Sequence, residues 1–134
     1  MTPVLEIADL GITIGGRHIV EGVSLAIEAG ECLGVVGESG SGKSMTALAA
    51  LGLLPTGASV VAGSSIRIRG TDILRLDAAA LRMLRGAHVG IVFQDPMSSL
   101  NPFMRVGAQI VEAIRAHSDI GKAEARRKAL VFAT

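Results

Sequence analysis

At 134 residues the chain has room for one domain, and its single cysteine, Cys32, excludes an internal disulfide. Thirteen basic and twelve acidic residues leave a net charge of +1 with no charged block, and tryptophan and tyrosine are absent, which argues against nucleic acid as a partner. Hydrophobic residues make up 49% of the chain, yet no apolar run approaches the roughly 20 residues of a membrane span.

The opening segment, 4–14, is apolar-rich with partial alternation and reads as a strand. Gly15-Gly16 marks a turn, and 19–27 resumes alternation, with Val23, Leu25 and Ile27 set against Ser24, Ala26 and Glu28. Ala29-Gly30 turns the chain into a run expected to be a buried core strand, 31–37, with Cys32 a small core residue inside it. A helix is expected over 44–54, ended by Pro55-Thr56-Gly57. Short strands follow at 60–62 and 64–69, then a turn at Gly70. Asp77–Arg85 reads as a helix stopped by Gly86, and 88–93 as a second buried core strand. A proline-bounded loop, 94–102, leads to an amphipathic helix over 106–117, and another helix starts at Lys122. The N-terminus lacks the basic start and apolar core of a signal peptide, and the single cysteine fits a reducing cytoplasm.

Between the first expected core strand and the helix after it lies Gly37-Glu38-Ser39-Gly40-Ser41-Gly42-Lys43-Ser44, a complete GxxxxGK[ST] pattern in strand–loop–helix context. The chemistry follows from residue type. Gly37, Gly40 and Gly42 lack a Cβ, so the backbone can take positive φ and come close to a ligand. Successive N–H groups then converge on an anion, and the helix N-terminus adds its positive end. Lys43 supplies charge for β and γ phosphates, Ser44 a hydroxyl for Mg²⁺, and Met45 continues the first helical turn. The competing reading is a Gly/Ser-rich turn with a chance lysine. Gln94 ends the second expected core strand, where ligands of open α/β sheets gather. Its neutral amide suits a water or a hydrated metal ion. The competing reading is an ordinary surface glutamine.

These strings, with Phe93-Gln94-Asp95-Pro96-Met97-Ser98-Ser99-Leu100-Asn101-Pro102 and the helix start Lys122-Ala123-Glu124-Ala125, resemble the ATP-binding subunits of ABC transporters. The likeness is to the bacterial dipeptide, oligopeptide and nickel importer type, and covers nearly the whole chain. It implies an α/β P-loop NTPase fold, of which this chain would carry the N-terminal part. That part comprises an antiparallel β subdomain (1–30 and 58–70), an incomplete RecA-like parallel core (31–54 and 88–94), and the start of a helical subdomain (95–134). It implies ATP and Mg²⁺ as ligands, with 37–45 as the nucleotide-binding loop, Lys43 and Gln94 as catalytic-site residues, and Ser44 and Gln94 as metal-facing groups. It implies a second ATPase subunit, integral-membrane permease subunits contacted near 95–106, and an extracytoplasmic solute-binding protein as an indirect partner. The location implied is the cytoplasmic face of the bacterial inner membrane. For 95–101 a merely rigid loop remains the alternative.

Two departures from the family pattern stand out. Ile14 occupies the position where relatives often stack an aromatic residue on adenine, so phosphate contacts are expected to dominate affinity. No signature motif, Walker B aspartate, catalytic glutamate or switch histidine follows Gln94, and 130–134 ends without a cap or polar tail. The expectation is an interrupted chain, poorly stable alone and without turnover. His18, His88 and His117 read as surface or edge residues. Three other readings stay open: a GTPase or small kinase, a non-catalytic product of a disrupted gene, and an ABC ATPase without a membrane partner, such as a DNA-repair protein. The only asparagine, Asn101, is followed by Pro102, so the base-recognition motif of a GTPase is absent.

Overall fold

The computed structural model describes residues 2–95 and 100–132. The chain divides into two compact units, Met1–Leu81 and Arg82–Thr134.

The first unit is built on an antiparallel sheet. Strand β1 (Leu5–Ile14) pairs with β2 (Arg17–Ile27) on one side and with β3 (Ala58–Val60) and β4 (Ser65–Ile68) on the other, and β4 pairs with β5 (Thr71–Asp72). Ile7, Leu10, Ile12, Val20, Ile66 and Ile68 are buried, and Leu10, Ile12 and Ile66 are fully enclosed. β-Branched residues dominate this list because their stiff side chains pack well on a pleated surface.

The register of β1 on β2 slips between Ile7 and Leu10, where Asp9 takes φ 47°. Two serines satisfy the backbone released there. The Asp9 N–H donates to Ser24 Oγ at 2.9 Å, and Ser64 Oγ accepts from the Gly11 N–H at 3.1 Å and donates to the Asp9 carbonyl at 3.1 Å. The β4–β5 hairpin closes through Arg69 and Gly70, with φ of 48° and 80°, the paired positive angles whose twist matches flanking strands.

Helix α1 (Lys43–Ala50) follows the glycine-rich loop, and a 3-10 turn (Ile73–Arg75) follows β5. Helix α2 (Ala78–His88) begins where Asp77 Oδ1 accepts from the Ala80 N–H at 2.8 Å. In the second unit α3 (Val106–Ala116) and α4 (Lys122–Phe132) pack through Val111, Ala125 and Ala129, flanked by Ile110, Ile114 and Ile120.

Three sequence expectations change. The runs 31–37 and 88–93 are not strands. Residues 31–37 are irregular and exposed throughout, and 89–93 are irregular, with Val36 and Val92 each 92% exposed. Their apolar pattern is that of buried strands, but a strand exists only with a hydrogen-bonded neighbour. Every strand pairing among the described residues joins β1 to β5 with one another. Cys32 is consequently exposed. Gly86 does not stop its helix, since α2 runs through it to His88. A Cβ there would collide with the His117 imidazole, so this glycine makes room for a ring. The β5 strand and the 3-10 turn went unread because two- and three-residue elements carry no periodicity.

Candidate functional site

The phosphate-type loop is held at its C-terminal end by the sheet. Gly42 takes φ 88° and ψ 2° and forms the N-cap of α1 without a side-chain hydrogen bond. A Cβ at Gly42 would lie 2.8 Å from Val20 Cγ2 and 3.2 Å from the Ile19 carbonyl oxygen, so β2 presses directly on the loop. Thr46, only 9% exposed, locks the same point from the helix side. Its N–H and its Oγ1 both donate to the Gly42 carbonyl, at 2.9 and 3.0 Å.

The rest of the loop closes on Lys43. Its ammonium donates to the Gly37 carbonyl at 2.7 Å, the Glu38 carbonyl at 2.6 Å and Ser41 Oγ at 3.2 Å. That matches the three donors an ammonium possesses. Ser41 N–H donates to the Glu38 carbonyl at 3.2 Å, closing a tight turn through Gly40 at φ 82°. Ser41 Oγ fills the space a Cβ on Gly37 would take, 2.9 Å away. Glu38, Ser39 and Ser44 are exposed, and Met45 is half-buried on α1.

The electrostatics favour an anion. The first turn of α1 has no acidic residue and its last turn no basic one, so no side chain offsets the positive end of the helix dipole. The N–H groups of the first turn have no partner within the helix. A positive helix end, left-handed glycines and a charged lysine therefore converge on one short loop. Ser44 sits exposed on that first turn, with its hydroxyl open to solvent.

The structure places residues 37–42 in one loop leading into α1, with Gly40 and Gly42 at positive φ and Gly37 not. Ile14 ends β1 opposite Arg17 and Ala58 and is 37% exposed. Ile12, two residues earlier, pairs with the Val20 that touches Gly42, which places Ile14 about 7 Å further along the strand. Gln94 belongs to the second unit and is exposed. Of the stretch 95–106, residues 96–99 fall outside the described residues. His18, His88 and His117 are exposed, and among the described residues no three His, Cys, Asp or Glu side chains cluster to hold a metal ion. A groove of about 1030 Å³ lies between α3 and α4, lined by Ile110, Val111, Arg115, Lys122 and Arg126 among others. It has no glycine nest, and the anion chemistry belongs to the loop. Among the described residues no helix is long and apolar enough to cross a membrane.

Sequence reasoning missed Thr46 and the roles of Ser41 and β2. Thr46 was signalled by its spacing, four residues after Gly42, at which a threonine hydroxyl bonds back to a carbonyl.

A glycine-rich loop that grips its own lysine and opens onto a bare helix N-terminus defines a P-loop nucleotide-binding protein. The profile of the ABC transporter family matches residues 20–132, and the chain belongs to that family. Its fold is accordingly the α/β P-loop NTPase fold, represented here by the antiparallel sheet and helices. It is 46% identical over 132 residues to the probable D,D-dipeptide transport ATP-binding protein DdpD of Escherichia coli K12, covering 96% of this chain and 40% of that protein. It is 47% identical over 135 residues to the oligopeptide transport ATP-binding protein OppD of Mycobacterium tuberculosis, covering 97% and 22%. For the OppD protein of Bacillus subtilis the identity is 40% over 134 residues, covering 97% and 37%. The chain therefore spans well under half the length of these relatives.

Proposed function

We propose that the chain forms the nucleotide-binding part of an ATPase subunit that couples ATP binding and hydrolysis to peptide import through an ABC transporter. The observation that carries this is the Lys43 ammonium, held by Gly37, Glu38 and Ser41 at the mouth of an uncompensated helix. The peptide-transport names of the relatives favour a peptide over a nickel ion as cargo.

The mechanism follows from this chain's own groups. The polyphosphate of ATP enters at the N-terminus of α1, and the N–H groups of 40–45 turn toward its β and γ oxygens. Lys43 exchanges its loop carbonyls for phosphate oxygens. The exchange is electrostatically favourable because the acceptor is then charged. Ser44 would hold a hydrated Mg²⁺ by its hydroxyl, and Gln94 is the proposed group for orienting a water toward the γ phosphate. Mg²⁺, when bound, neutralises charge shared by the β and γ oxygens. Ile14 offers the adenine an apolar contact without ring stacking. The proposed partners are a second ATPase subunit, integral-membrane permease subunits near 95–106, and a solute-binding protein acting through the permease. The proposed location is the cytoplasmic face of the membrane.

Titration with a fluorescent ATP analogue, with and without Mg²⁺, tests this reading. Saturable magnesium-dependent binding is expected, weakened about 10- to 100-fold by Lys43→Ala, the range for losing a charge-assisted hydrogen bond. Absence of magnesium-dependent binding, or full affinity in Lys43→Ala, would sink it.

A further inference from the structure

The rung of the sheet that presses on the loop is followed by an irregularity. Ile12 of β1 pairs with Val20 of β2, but the next residue, Thr13, pairs with His18, and Ile14 with Arg17. One step along β1 is therefore matched by two along β2, and Ile19 is the residue left over. The other side of β1 shows which strand is irregular. There Ile12, Thr13 and Ile14 pair in step with Val60, Ser59 and Ala58, so β1 is regular and the bulge belongs to β2.

The bulge decides which way Arg17 faces. Side chains alternate along a strand, so residues three apart, such as Arg17 and Val20, point to opposite faces of a regular one. The extra residue cancels one alternation. Directly opposed residues share a face, which groups Arg17 with Ile14, and Ile14 with Ile12 and Val20. Val20 is the side chain against Gly42. Arg17 and the glycine-rich loop thus lie over one face of one sheet, while His18 and Thr13 take the reverse face.

That face changes character beyond the loop. Ile12 is 0% exposed, whereas Ile14 is 37% exposed. Ile14 is flanked by Arg17 on β2, which is exposed, and by Ala58 on β3, which is half-buried. Three adjacent strands span about 10 Å, so the row forms a shelf wide enough for a fused ring, about 7 Å past the Val20 rung. A nucleotide with its β and γ phosphates over the loop carries its base at such a remove, past one more phosphate and the ribose. The shelf is apolar at Ile14 and cationic at Arg17. A guanidinium is planar and weakly hydrated, and it stacks on the face of a base.

We propose that Arg17 is a nucleobase-binding residue, turned onto the loop's face by the bulge at Ile19, and that its guanidinium stacks on the base of the bound nucleotide beside Ile14. This rests on the nucleotide binding proposed above. Stacking reads no hydrogen-bonding edge of the base, so adenine and guanine are gripped alike.

The experiment is calorimetric titration of the chain with the magnesium complexes of ATP, GTP and inorganic tripolyphosphate, which has the phosphates without a base. Arg17→Ala is expected to weaken ATP and GTP about 5-fold each and to leave tripolyphosphate unchanged. Arg17→Lys keeps the charge but loses the plane, and is expected to weaken both nucleotides about 3-fold. Lys43→Ala is expected to weaken all three ligands. Tripolyphosphate binding also reports that the loop is folded in each Arg17 variant. Unchanged ATP affinity in Arg17→Ala would overturn the inference and leave the proposed function standing. Equal loss of tripolyphosphate in both Arg17 variants, with circular dichroism spectra intact, would make Arg17 a phosphate contact and overturn its role at the base. Full nucleotide affinity in Arg17→Lys, or a loss confined to ATP, would overturn stacking. Failure of the wild-type chain to bind either ATP or tripolyphosphate would instead remove the function beneath the inference.

Discussion

Alanine at Gly42 meets two separate costs, and alanine at Gly40 only one. Both glycines are left-handed, with φ of 88° and 82°, where a Cβ costs about 1–2 kcal/mol. At Gly40 a Cβ would find no heavy atom within 4 Å, so the conformational cost is the whole effect. At Gly42 the Cβ would also lie 2.8 Å from Val20 Cγ2 and 3.2 Å from the Ile19 carbonyl oxygen. Val20 is 5% exposed and β-branched, so it has one comfortable rotamer and little room to leave it. The Ile19 oxygen is backbone in β2 and cannot withdraw without dragging the sheet. Overpacking of this kind costs about 1–3 kcal/mol. The expected totals are about 1.5 kcal/mol for Gly40→Ala and about 3.5 kcal/mol for Gly42→Ala, a gap of roughly 30-fold in an opening equilibrium. Hydrogen exchange of the peptide spanning 37–50, read by mass spectrometry, measures local opening without needing a two-state melt of a two-unit chain. Equal loss of protection in the two variants would refute the claim that β2 presses on the loop.

The remaining expectations concern single contacts. Thr46→Val keeps the shape of the side chain but removes the Oγ1 bond to the Gly42 carbonyl at 3.0 Å, and should raise exchange at the start of α1 by about 1 kcal/mol. Protection unchanged from wild type would show the bond to be idle. Gly86→Ala should destabilise the second unit in a thermal melt followed by circular dichroism, because the methyl displaces the His117 ring. In a His117→Ala background the same change should stabilise by up to about 1 kcal/mol through helix propensity alone, and a destabilisation there would contradict the packing argument. Cys32 should react with a thiol reagent in the native chain as fast as in the denatured one, given its exposure. Strong protection would mean that 31–37 is buried after all.

What the sequence revealed and what it hid divide along one physical line. Local chemistry was legible. The glycine spacing of 37–44 called for positive φ; Gly40 and Gly42 have it, whereas Gly37 does not and instead leaves room for Ser41 Oγ. Asp77 began its helix, and the hairpin of β1 and β2 followed from alternation and Gly15-Gly16. Features requiring a neighbour were not legible. Strand pattern in 31–37 and 88–93 states what those residues would do beside another strand, but does not supply that strand. Gly86 reads as a helix stop until the ring of His117, thirty-one positions on, is seen to occupy its missing side chain. The three-way grip on Lys43 was likewise hidden, because a motif names the lysine without naming its acceptors.

That grip connects the fold to the site. The loop is fastened at one end only. Gly42 is held by β2 and by Thr46, whereas 31–37, leading into Gly37, is exposed and irregular. The Lys43 ammonium bridges the two ends by binding the carbonyls of Gly37 and Glu38. It therefore holds the loop closed where no ordered strand does. The same three donors are the ones a polyphosphate must claim, so phosphate binding and loop closure compete for a single group. The competing phosphate carries full charge, so it offers the ammonium a stronger acceptor than a neutral carbonyl. Ordering the 31–37 run beside another strand would fix Gly37 independently of Lys43. It would free the lysine for the nucleotide, and affinity at this loop would rise with order in a segment that never touches the ligand.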